Sequence, residues 1–178
     1  MAANDNRCVD EISPDQLLDE DLNEPFLESL PFASQFAIWS ARCWVTALKQ
    51  EKPFEVVSGD TFRRFNLAGA QGALDELFLI VAHSAGRQID IRCQKCRFVS
   101  PDETIFLQAL AAAQNGEAFQ AYTELRNWLA PAPARVAFNA LVRLGGCLGA
   151  ANLHLTYAAR PAAAVTSQPY AEASTTLH

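Results

Sequence analysis

A Ser-Pro-Asp-Glu sequence at residues 100–103 places three helix-start signals side by side and marks the clearest element boundary in the chain. A serine hydroxyl suits the N-cap position, proline is tolerated at the first helical position, and a glutamate three residues after the cap completes a capping box. Apolar residues follow at helical spacing as far as Asn115-Gly116, a pair typical of a helix end. The sequence therefore predicts a helix that starts at a fixed point and ends near residue 115.

Four other segments repeat apolar residues three or four positions apart, which is the spacing of one face of a helix. The predicted helices run from Pro31 to about Lys52, from a cap at residues 58–61 to near Ser84, from Glu117 to Leu129, and from Ala134 to about Tyr157. Arg42 lies between two tryptophans in the first of them and is interpreted as a surface residue. Gly69 and Gly72 weaken the second by about 1 kcal/mol each relative to alanine, so we expect a break or close packing there and favour packing.

These elements predict an all-α fold, a single helical bundle of about five helices. Residues 88–92 alternate apolar and polar side chains, a very short strand pattern, and lead directly into Cys93-Gln94-Lys95-Cys96. We interpret this cysteine turn as a small irregular insert in the bundle. The small residues Gly145, Gly146 and Gly149 give the last helix a face that another helix can approach closely. A second copy of the chain is one candidate for such a contact.

The charge distribution divides the chain into three parts. Residues 1–30 hold nine acidic residues and one base, whereas the remainder is close to neutral at about +2. We predict an acidic, partly disordered segment at 1–30, a helical domain at 31–157 and a disordered tail at 158–178. An acidic segment on a near-neutral body argues against a general nucleic-acid binder, which would present a broad basic surface; a local basic patch stays open.

Cysteine usage and hydropathy indicate where such a chain works. Five cysteines are an odd number, too sparse for a disulfide scaffold, and no secretory signal precedes them. No uninterrupted apolar run reaches the roughly 18 residues of a membrane span. The sequence therefore predicts a cytoplasmic protein without a membrane span.

The pair Cys93 and Cys96 is the half-site from which structural zinc sites are built, because two cysteines separated by two residues can place both sulfurs on one metal ion. A tetrahedral site needs two more ligands, and no second pair of this kind is present. His83, ten residues upstream, is the first candidate for a further ligand. Cys147 and His154 on the last helix come next, followed by Cys43 on the first. Zinc is the cofactor that this pattern indicates.

The cysteine turn is surrounded by positive charge. Arg87, Arg92, Lys95 and Arg97 stand against one acid, Asp90, and positive surroundings favour thiolates that bind metal or react with a disulfide. We interpret these four side chains as a basic rim that contacts an anionic partner protein. The acidic segment at 1–30 could cover that rim within the same chain.

Three functions stay open at this point. The leading hypothesis is a non-enzymatic regulatory or adaptor protein with a zinc-binding cysteine turn. A thiol-disulfide redox protein using Cys93 and Cys96 is the alternative, although the turn precedes the predicted helix start by several residues, unlike the redox pair of thioredoxin-like proteins. An enzyme or enzyme accessory subunit is the third. None of the common hydrolase, phosphate-loop, dinucleotide-binding or His-Glu-x-x-His motifs is present.

The cysteine turn, the Ser-Pro-Asp-Glu sequence after it, and the alanine- and leucine-rich helix pair ending in Trp128-Leu129 together resemble a group of small, uncharacterised helical proteins of alphaproteobacteria. The resemblance covers about residues 75–155. It implies no activity, but it does imply that the turn and the capped helix form one structural unit.

Overall fold

The protein is an all-α bundle, as the sequence predicts. A computed structural model describes residues 24–156, in which we find seven α-helices and no strand longer than an isolated bridge. The helices are α1 (Phe32–Lys49), α2 (Phe54–Ser58), α3 (Thr61–Arg64), α4 (Ala68–Ser84), α5 (Pro101–Gln114), α6 (Ala118–Leu125) and α7 (Pro131–Ala150). A short 3-10 turn, Leu27–Ser29, precedes α1.

The core lies between α1, α4, α5 and α7. The most extensive helix contact is between α4 and α7, and α5 packs against both α6 and α7. Three aromatic rings connect the first three of the core helices: Trp44 stacks on Phe78 at 5.5 Å between centroids, and Phe78 meets the edge of Phe106 at 5.4 Å. All three rings are buried, so α1, α4 and α5 are held together by large apolar contacts.

The start of α5 agrees with its prediction. The Ser100 hydroxyl accepts a hydrogen bond from the backbone N–H of Glu103, and the Glu103 carboxylate accepts one from the backbone N–H of Ser100. The capping box is therefore complete, and α5 begins at Pro101. Its end, at Gln114, is also close to the predicted position.

Two other helices are shorter than predicted. The single helix expected after residues 58–61 is divided into α3 and α4, because Asn66 adopts a left-handed conformation with φ of +57° and asparagine tolerates that region better than most residues. Close packing occurs at Gly69, where an added Cβ would lie 3.1 Å from the Cys147 sulfur. The last helix ends at Ala150 and not at Tyr157, which lies outside the described residues.

Residues 24–30, predicted as part of the acidic N-terminal segment, pack against the chain just after the cysteine turn. The backbone N–H of Leu27 donates to the Arg97 carbonyl at 2.7 Å, and that of Val99 donates to the Pro25 carbonyl at 3.0 Å. The rings of Phe26 and Phe98 are 4.7 Å apart. The remainder of the predicted N-terminal segment and the tail at 158–178 lie outside the described residues.

Candidate functional site

The cysteine turn belongs to an irregular connection between α4 and α5, residues 85–100, which we call the cysteine loop. It was expected to contain a short strand at residues 88–92, and this expectation is wrong for a physical reason. The backbone N–H groups that a neighbouring strand would receive are bound by side chains of α5 instead: Asp90 N–H donates to Asp102 at 2.8 Å, and Arg92 N–H to Glu103 at 3.1 Å. The alternation is still used, since it buries Ile91 towards the core.

Arg42 fixes the second half of the cysteine loop, and its predicted surface position is wrong. The side chain is 1% exposed and forms a bidentate pair with Glu103, which is 0% exposed, with N–O distances of 2.7 and 2.8 Å. Its remaining N–H groups donate to the carbonyls of Cys96 at 2.6 Å and Phe98 at 2.8 Å. One buried cation from α1 therefore binds the helix cap and the end of the cysteine turn together.

This arrangement makes Glu103 more than a capping residue. Its two oxygens accept hydrogen bonds from Arg42, from the backbone of Ser100 and from the backbone of Arg92. A buried carboxylate with several charge-assisted and backbone donors holds its neighbours in one geometry. The cysteine loop and the capped helix consequently form one unit, as the resemblance to the alphaproteobacterial proteins implied.

The two cysteines of the turn face each other. The sulfurs of Cys93 and Cys96 are 3.2 Å apart, and the backbone N–H of Cys96 donates to the Cys93 carbonyl at 3.1 Å, which closes the turn. Cys96 is buried, whereas Cys93 is partly exposed. Two thiolates bound at about 2.3 Å to one tetrahedral ion lie about 3.8 Å apart. Small side-chain rotations therefore suffice to place both sulfurs on one metal ion.

The other candidate ligands do not join this pair. His83 is exposed, and its ring Nδ1 lies 2.8 Å from the Leu79 carbonyl of its own helix. Cys43 is closer to the turn, but its sulfur accepts a hydrogen bond from Gln94 at 3.1 Å, and burial raises the pKa of its thiol to about 11 despite that bond. Within residues 24–156, no three histidine, cysteine, aspartate or glutamate side chains come close enough to hold a metal ion.

The predicted basic rim divides into two classes of side chain. Arg87 forms an ion pair with Asp102, and Arg92 pairs with Glu24 at 2.7 Å and lies 3.6 Å from Asp90. Lys95 and Arg97 are exposed and form no ion pair with any residue of the described part of the chain. The charge available for an external contact is therefore that of Lys95 and Arg97.

Asp102 anchors the first half of the cysteine loop. Besides the Asp90 backbone, its carboxylate accepts hydrogen bonds from Arg87 at 2.9 Å and from the Trp128 indole at 2.9 Å. Burial acts to raise the pKa of this carboxyl, but the bonds from Arg87, Asp90 and Trp128 outweigh it and lower the pKa below its usual range. The pKa of Asp90 is raised, chiefly by burial, although Arg92 acts against the rise.

The opposite shifts give Asp102 and Asp90 opposite effects on acid stability. A lowered pKa contributes stability that is present above the ordinary value of about 3.9 and is lost as the pH falls towards the folded-state pKa. We therefore expect Asp102→Asn to flatten the loss of unfolding free energy below about pH 4, and Asp90→Asn to steepen it. Urea unfolding at a series of pH values measures both slopes. Equal slopes for the wild type and Asp102→Asn would contradict the role assigned to Asp102.

A separate open groove of about 680 Å³ lies between α4 and α7. Glycine and alanine make up most of its lining, with Cys147 and the Glu76–Arg143 ion pair at its surface. The convergent polar groups expected of a catalytic cleft are not assembled among these lining residues.

In comparisons with known proteins, no family model, curated protein or solved structure matches this chain. None of the helices between residues 24 and 156 has both the length and the apolar character needed to cross a bilayer.

Sequence reasoning identified the cysteine pair but not the residues that hold it. Arg42, Asp102 and Glu24 were not recognised as parts of the site. A signal for Arg42 was present, since it lies one helical turn after Ile38 and one before Thr46 on a helix whose neighbouring residues are apolar. An arginine at such a position needs a buried carboxylate, and residues 102 and 103 provide two.

Proposed function

We propose that this protein is a non-enzymatic regulatory or adaptor protein whose Cys93 and Cys96 bind zinc and whose Lys95 and Arg97 contact an anionic surface of a partner protein. One observation carries the proposal: two cysteine sulfurs lie 3.2 Å apart on a turn whose backbone is bound by a buried arginine. A structural zinc site requires ligands held in a defined geometry. A reducing compartment such as the cytoplasm would keep the thiolates available for the metal.

The support for the partner surface comes from the distribution of charge around the turn. Lys95 lies between the two cysteines, and Arg97 follows the second directly. Both are exposed, while the neighbouring Arg87 and Arg92 are neutralised by carboxylates within the chain. A metal-bound turn would therefore present two positive side chains from a rigid base.

Metal content tests the zinc part of the proposal. We expect the freshly purified full chain to contain about one zinc per molecule, as a structural site would hold, and Cys93→Ser to contain none. Cys147→Ser is the matched control, because Cys147 lies on α7 beside Gly69 and should leave the zinc content unchanged. Elemental analysis with a thiol count measures both. A wild-type protein without metal would contradict the proposal.

Thiol-disulfide exchange is the second candidate, and the unequal exposure of the two sulfurs favours it. The partly exposed Cys93 sulfur would attack a substrate disulfide as a thiolate and release one substrate thiolate. Cys96 would then displace the second, leaving the substrate reduced by two electrons and the turn oxidised to a disulfide. This function predicts no metal in the purified protein and a reversible disulfide between Cys93 and Cys96.

A further inference from the structure

A zinc ion on the cysteine turn needs more ligands than the described part of the chain brings to it. Structural zinc sites are almost always four-coordinate, with sulfur and nitrogen as the preferred donors. The turn supplies two sulfurs, and no group of three potential ligands is assembled within residues 24–156. At least one further ligand must therefore come from outside these residues, from water or from another molecule.

The remaining cysteines and histidines of the described region are used elsewhere. The Cys43 sulfur accepts a hydrogen bond from Gln94, and Cys147 packs against the backbone of Gly69. His83 is bound to the Leu79 carbonyl. In the complete sequence, the cysteine and histidine outside residues 24–156 are Cys8 and the C-terminal His178.

The chain that carries Cys8 approaches the described structure beside the turn. Glu24 pairs with Arg92, the residue immediately before Cys93, and the Pro25 carbonyl accepts a hydrogen bond from Val99. Cys8 is sixteen residues before Glu24 in the sequence. An extended chain covers about 3.3 Å per residue, so a segment of this length reaches the turn easily. Closing such a loop costs little more than closing a shorter one, because the entropy grows only with the logarithm of length.

We infer that Cys8 supplies the third sulfur ligand of a zinc site completed by Cys93 and Cys96, with a non-sulfur donor at the fourth position. This inference rests on the zinc site proposed above. Its consequence is regulatory, because the metal would tie the acidic N-terminal segment to the turn. The seven acidic residues that precede residue 24 would then be held near Lys95 and Arg97 and compete with an anionic partner for them.

Zinc affinity tests the assignment of Cys8. Competition against a chromophoric chelator is measured on the full-length wild type and on Cys8→Ser, Cys93→Ser and Cys147→Ser. We expect wild-type affinity for Cys147→Ser, loss of binding for Cys93→Ser, and binding at least about tenfold weaker for Cys8→Ser, since a thiolate ligand has been removed. Cobalt(II) gives an independent readout, because the thiolate-to-cobalt absorption should fall from that of three sulfurs to that of two.

The outcomes separate the two proposals. If Cys8→Ser binds zinc as the wild type does while Cys93→Ser does not, the assignment of Cys8 is overturned and the zinc site on the turn stands. If the wild type binds no zinc, the proposed function itself fails. Metal-free purified protein with Cys8 in a disulfide would also overturn the inference, and peptide mapping without reductant would detect it.

Discussion

Replacing Glu103 with alanine is expected to destabilise the protein by about 3–5 kcal/mol, the usual cost of removing one member of a buried ion pair. The change leaves the Arg42 guanidinium buried without its carboxylate and removes the acceptor for the backbone N–H groups of Ser100 and Arg92. Glu103→Gln should also destabilise, because it preserves the shape of the side chain but not its charge. Urea unfolding followed by circular dichroism measures both variants.

Glu76→Ala is the matched control for this prediction. It removes a carboxylate from an ion pair with Arg143 that also joins two helices, but both of its side chains are about half exposed. Exposed pairs contribute about 0–1 kcal/mol. A Glu103→Ala variant no less stable than Glu76→Ala would show that the buried pair does not hold the cysteine loop to the bundle.

Removing zinc with a chelator is expected to lower the melting temperature of the wild type by about 10 °C, if the metal is present at a thousand times its Kd before removal. A ligand that binds the folded state alone stabilises it in proportion to the logarithm of its saturation, which is about 4 kcal/mol at that ratio. The Cys93→Ser variant should melt at the same temperature with and without chelator.

The structural effect of chelation should be local. Amide hydrogen exchange is expected to accelerate at residues 93–99, where the turn and the bridge to Phe26 meet, and to stay slow in the buried parts of α5 and α7. A uniform acceleration across the bundle would indicate global destabilisation instead. No change in either melting or exchange would mean that zinc does not bind the folded turn.

The elements of this fold that sequence predicts well are those with local causes. The start of α5 is fixed by residues 100–103 alone, since the serine and glutamate bond each other's backbone within one helical turn. The apolar stripes likewise locate the core helices, because burial of one face follows from helical spacing. The position of the helix break before α4 was missed, since it depends on one left-handed residue, Asn66.

The candidate site was only half predictable because its support comes from distant parts of the chain. Arg42 and Glu103 are separated by 61 residues, and Arg92 and Glu24 by 68. Neither pairing has a local signal, so a sequence reading counted Arg92 as free for a partner and placed Arg42 on the surface. The proximity of Cys93 and Cys96 follows from a four-residue turn and was therefore visible in the sequence.

X-ray absorption at the zinc edge, on the full-length protein loaded with one equivalent of zinc, tests the central claim most directly. A zinc ion on the cysteine turn should show at least two sulfur neighbours at about 2.3 Å, and these should disappear in Cys93→Ser. A first coordination shell made only of nitrogen and oxygen, or a protein that does not retain the metal, would contradict the assignment of the turn as a zinc site.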